Sequence, residues 1–185
     1  MKIILFITIF TLSTNILYSH PHLFIKPSFD ICITDSTFRG IRLFWKWDKW
    51  WSEDVINDCD KNHDDIFNDK ETQIIYKEYF SDIKDFNYFT DILINGKKHK
   101  ISGVNEFKAL INKDRTVTYI FYIPIEMKIE NEVKITMSFN DKTIYTAFDK
   151  NVVVNAINGY TIRNCMITDY SYYGVKIKFI ITKDK

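Results

Sequence analysis

The stretch Gly40-Ile41-Arg42-Leu43-Phe44-Trp45-Lys46-Trp47 decides the fold. Ile41, Leu43, Trp45 and Trp47 share one side and Arg42 and Lys46 the other, the period of two that a half-buried strand requires. The same alternation recurs further along. Val117, Tyr119, Phe121 and Ile123 make one face of a strand that Pro124 is expected to end, and Val133, Ile135 and Met137 begin another. Further strands are expected at Leu23 to Ile33, Ile92 to Ile94, Thr143 to Phe148 and Val175 to Ile181. Asn95-Gly96, between Ile94 and Lys97, is a strong hairpin signal because both positions tolerate positive φ, and Asn140-Asp141 is a weaker one. With only 5 Gly and 3 Pro, and with 11 Tyr and 15 Phe, the chain favours strands over helices. The expected class is α+β, mainly β, with antiparallel, sandwich-like sheets.

One region breaks the alternation. From about residue 50 to 82 the sequence is acidic, lacks Gly and Pro, and carries Trp51 and Val55, then Ile74, Ile75, Tyr79 and Phe80, which suits a helical insertion of two helices around a polar turn. Ser52 is the expected N-cap, with Glu53 and Asp54 near the positive end of the helix dipole. The turn, Asp60-Lys61-Asn62-His63-Asp64-Asp65-Ile66-Phe67-Asn68-Asp69-Lys70-Glu71, fits the twelve-position EF-hand register. Asp60, Asn62 and Asp64 take the first, third and fifth positions, the Ile66 carbonyl the seventh, Asn68 the ninth and Glu71 the bidentate twelfth. Phe67 stands at the usual apolar eighth. A hard cation wants six or seven oxygens, and alternate side chains on a tightly curled loop aim them at one centre, so calcium is the expected ion. The sixth position usually needs Gly for positive φ; here it is Asp65, at a cost on the order of 1 kcal/mol and with weaker affinity expected.

One basic residue precedes an uncharged apolar run that reaches Leu17 and ends at Tyr18-Ser19, the pattern of a secretory signal peptide over residues 1–19. The run is short for a permanent anchor, so no membrane span is expected after cleavage. Residues 20–185 then form a single domain, periplasmic or secreted. The balance of 25 basic against 24 acidic residues gives no overall field for nucleic acid. Cys32, Cys59 and Cys165 are an odd set, allowing at most one internal disulfide, and reading them as small buried apolar residues is at least as good. Cleavage before His20 would expose His20-Pro21-His22. An amine and imidazoles select nickel, zinc or copper rather than calcium, while Pro21 has no N–H to give up to a square-planar site.

In order along the chain, His20-Pro21-His22, Trp45-Lys46-Trp47-Asp48, the loop from Asp60 to Glu71, Phe86-Asn87-Tyr88-Phe89-Thr90, Ile94-Asn95-Gly96-Lys97, Ser138-Phe139-Asn140-Asp141 and Tyr145-Thr146-Ala147-Phe148 resemble the DUF1007 family. Its members are uncharacterised bacterial periplasmic proteins described as components of ABC-type transport systems. The resemblance implies an accessory to nickel, cobalt or zinc movement with a membrane metal transporter as partner, since members are often found beside such transporters. Asp65, where the family usually has glycine, and the lack of a long histidine-rich stretch depart from the pattern. A non-metal module is the alternative, with Trp45, Trp47, Trp50 and Trp51 as a face for a protein or glycan, although an ordinary core explains that cluster better. No local nucleophile and base signature marks an enzyme. A copper histidine brace at His20 is the one enzymatic version that fits.

Overall fold

The computed structural model describes residues 21–143, 145–155 and 159–184. The expected signal peptide, His20 included in the cut that would follow it, lies outside these residues. Two sheets form the body of the molecule. The first runs in the order β5 (Asn105–Ile111), β6 (Val117–Lys128), β2 (Thr37–Trp47), β1 (Leu23–Thr34), with β8 (Thr146–Phe148) and β9 (Val153–Asn155) both on the outer side of β1. The second runs β10 (Tyr160–Tyr170), β11 (Gly174–Lys183), β7 (Glu132–Phe139), β3 (Thr90–Ile94), β4 (Lys97–His99). Their apolar faces meet. Phe29 of β1 lies 6.4 Å from Phe139 and 5.8 Å from Phe179, ring centre to ring centre.

The deciding stretch folds as its pattern requires. Ile41, Leu43 and Trp45 are fully buried and Trp47 nearly so, while Arg42 and Lys46 reach exposed carboxylates on Glu106 and Asp114. Trp45 packs edge-on against Phe121 at 4.8 Å and also touches Phe80, Phe89 and Phe148, so β2 anchors aromatic groups from four other segments of the chain. Asn95 and Gly96, with φ of 50° and 80°, close the β3–β4 hairpin between Ile94 and Lys97.

Four expectations need correction. Pro124 does not end its strand; β6 continues to Lys128 with Pro124 opposite Gly40. The β5 partner stops at Tyr122, so beyond that point the other edge of β6 is free and the missing N–H costs nothing. Gly40 is required there, because a Cβ would stand 2.3 Å from the Ile123 carbonyl oxygen. Asn140-Asp141 makes no hairpin: the chain leaves β7 and crosses to the other sheet. There β8, shorter than expected, lies parallel to β1, as β9 does, so the first sheet is mixed rather than antiparallel. Ser52 does not cap the helix. Asp48 caps α1 (Lys49–Cys59), and buried Ser52 instead accepts the Val117 N–H at 2.8 Å. After α2 (Asp69–Ile75) the chain continues through a wide helical turn, Tyr76–Phe80, and a segment, Ser81–Phe89, that starts as a tight helical turn and leaves helical backbone from Phe86, into β3. Among the described residues no helix is long and apolar enough to cross a membrane.

Candidate metal centre

The acidic turn begins where α1 stops at Cys59. His63 and Asp65 both take left-handed backbone, φ 57° and 59°, and these two reversals curl the segment back on itself. The Asp60 carboxylate accepts the N–H of Asp64 at 3.3 Å and of Asp65 at 3.1 Å. Glu71 accepts the N–H of Lys61 at 2.9 Å with one oxygen and of Asn68 at 3.0 Å with the other. Asp60 and Glu71 are 2 % and 3 % exposed, yet no ion pair among the described residues involves either. Burying a carboxylate is costly, and backbone donors on its oxygens recover part of that cost. Phe67 is buried in the core, which pins the turn to the body of the protein.

The remaining expected ligands are placed less simply. Asp64 accepts the Ile66 N–H at 2.9 Å and the Asn62 amide at 2.7 Å, so Asn62 presents its nitrogen to that carboxylate. Asn68 caps α2, its side-chain oxygen accepting Lys70 N–H at 2.9 Å and Glu71 N–H at 3.2 Å in a reciprocal box with Glu71. Asp65 pairs with Arg115 on the exposed side of the loop. Among the described residues no group of three or more His, Cys, Asp or Glu side chains is disposed to hold a metal ion.

The nitrogen donors are dispersed. His22 is exposed, its N–H donating to the Tyr145 carbonyl at 2.9 Å and its ring 5.0 Å from the Tyr145 ring; His20 lies outside the described residues. His63 sits on the acidic turn and His99 on the β4 edge of the other sheet. Cys32, Cys59 and Cys165 are all free thiols on separate elements. Burial, reinforced by neighbouring Asp58, pushes the Cys59 thiol up to about 11, which keeps it protonated at neutral pH. Asp48, which ties the chain start to α1, escaped the sequence reading, although an Asp just ahead of the helical pattern is itself a strong N-cap signal.

An uncharacterised 15.5 kDa protein from Spirochaeta aurantia, named for its position in the trpE 3' region, is 30% identical over 92 residues, which cover 50% of this chain and 65% of that protein. No solved structure matches the chain. The model of a family described as a protein of unknown function, DUF1007, matches residues 5–170, and the chain therefore belongs to the DUF1007 family.

Proposed function

We propose that this protein is an exported, non-enzymatic accessory of divalent transition-metal transport or homeostasis, working in the periplasm beside a membrane transporter of nickel, cobalt or zinc, and braced by calcium in an EF-hand-like loop. The observation that carries the calcium half is the pair of buried carboxylates, Asp60 and Glu71, drawn onto one curled turn with no ion pair to balance them among the described residues. Each oxygen keeps a lone pair beyond its backbone donor. A cation would complete the set with Asp64, the Ile66 carbonyl and, after a rotation of its amide, the Asn62 oxygen. The left-handed φ of Asp65 at the sixth position favours the same reading, because the loop makes its turn there without glycine. The transition-metal half rests on His22 standing exposed at the head of β1, where a freshly cut chain start would add an amine and His20.

Calorimetric titration of the processed protein, its N-terminus verified by sequencing, tests both halves. Calcium binding that Glu71→Gln removes, and nickel or zinc binding that His22→Ala weakens, are the expected results. A protein that starts at His20 and takes up none of these ions refutes the proposal.

A second reading, a protein- or glycan-binding module, is favoured by one feature. An open groove of about 810 Å³ runs along the outer edge of β1, with exposed Phe24, Val153 and Tyr173 on its wall. Retention on a glycan array that Tyr173→Ala abolishes would support this reading over the first.

A further inference from the structure

Beside the start of β1, separate from the acidic turn, a cleft of about 240 Å³ is walled by Trp47, Trp51, Tyr79, Phe86, Phe89 and Tyr145. Four stretches singled out in the sequence, those containing Trp47, Phe86 to Phe89, Asp141 and Tyr145, converge on it from both sheets and from the segment that follows α2. The backbone is strained to build this wall. Asn87, Tyr88 and Phe89 take left-handed φ of 54°, 50° and 44° in succession, which turns Tyr88 into the core and leaves Phe89 against the cleft. Non-glycine residues hold such backbone only where the surroundings enforce it, and strain of this kind gathers at ligand clamps.

One charged group marks the same cleft. Asp141, 3 % exposed, lines it and has no ion pair among the described residues. Its oxygens accept the Thr143 N–H and hydroxyl and the Thr146 N–H, so the carboxylate is fixed in place and its charge is uncompensated. Aromatic faces present negative potential, and aromatic walls around a fixed carboxylate attract an organic cation whose methyl groups also gain from leaving water. A bare metal ion gains little here, since among the described residues no three His, Cys, Asp or Glu side chains gather to hold one.

We propose that this cleft binds a small alkylammonium ion, its methylated nitrogen held among the rings of Trp47, Trp51, Phe86 and Tyr145 near Asp141. The site does not depend on the metal-handling reading. Calorimetry with EDTA-treated full chain tests it, using choline against its uncharged carbon analogue 3,3-dimethylbutanol. Choline is expected to bind at least tenfold more tightly than the alcohol. Phe86→Ala and Tyr145→Ala, both at exposed positions on the lip, should keep the wild-type thermal midpoint and each weaken choline roughly three- to tenfold. Leu110→Ala, exposed on distant β5, should leave binding unchanged. No binding of choline, equal binding of choline and the alcohol, or full binding by the two lip variants would each overturn the assignment.

Discussion

Asp48 and Phe24 hold each other twice: the Phe24 N–H donates to the Asp48 carboxylate at 2.7 Å, and the Asp48 N–H donates to the Phe24 carbonyl at 2.9 Å. The other carboxylate oxygen accepts the Trp51 N–H at 3.0 Å, so one side chain caps α1 and ties down the first strand two residues after His22. Asp48→Ala loses the two carboxylate bonds, to Phe24 and Trp51, and keeps the backbone one. The expected destabilisation is about 1–2 kcal/mol, as for other N-cap losses, read as a lower midpoint in urea unfolding. Faster hydrogen exchange at Phe24 and Trp51 should accompany it, and an unchanged midpoint would show that neither bond matters.

Trp45 is the largest fully buried side chain, and its neighbours come from β6, β8 and the segments after α2. Removing the indole opens a void that flanking rings cannot fill without leaving their rotamers. Trp45→Ala should cost about 3–5 kcal/mol, a large share of the stability of a domain this size. Trp50→Ala, one helical residue away from Trp51 and 61 % exposed, is the contrast and should stay within about 0.5 kcal/mol. Equal losses in the two variants would contradict the placement of β2 at the centre of the core.

What the sequence made legible was the part governed by period and turn chemistry. The faces of β2 and β6 and the Asn95-Gly96 hairpin all follow from local pattern. What escaped depended on partners distant in the chain. Strand β10 is exposed along nearly its whole length, so it carries no alternation to read. Strands β8 and β9 are three residues each and owe their existence to the open edge of β1, while Pro124 is tolerated only because β5 ends early. Ser52 resembles a cap in sequence, yet it is buried by β6, and Asp48 holds the helix start. The acidic turn was visible as a spacing of oxygens. The aromatic cleft was not, because its walls come from five separate places.

Two neutral groups near the end of α1 make the fold sensitive to alkali. The Tyr79 hydroxyl donates to the Asp58 carboxylate, which with burial raises its pKa, and burial raises the Cys59 thiol to about 11. Below about 8.5, where an unfolded thiol is also neutral, this contribution is fully present. As pH climbs from there through 11 the unfolded thiol ionises first, and stability falls. The urea midpoint should therefore decline across that window, and Cys59→Ala should flatten the decline. Iodoacetamide at pH 8 should label exposed Cys165 well before Cys59; the reverse order would place the buried thiol elsewhere.

Asp65 offers the most direct test of how the acidic turn works, because its backbone and its charge act in opposite directions. Left-handed φ at a non-glycine residue costs on the order of 1 kcal/mol, and glycine removes that strain, so Asp65→Gly should stabilise the folded loop. The substitution also deletes an acidic charge and strands Arg115, whose pairing with Asp65 is more than half exposed and therefore weak. A free Arg115 beside the loop would repel calcium and mask the backbone effect. The double variant Asp65→Gly with Arg115→Gln keeps the local net charge constant and isolates the conformational term. Because the turn at Asp65 is already left-handed, closing around a cation as proposed adds no strain there, so this variant should be about 1 kcal/mol more stable to urea while binding calcium as tightly as the parent. Weaker binding by the charge-balanced variant would mean that the left-handed turn at Asp65 belongs to the resting loop and is abandoned when the ion enters.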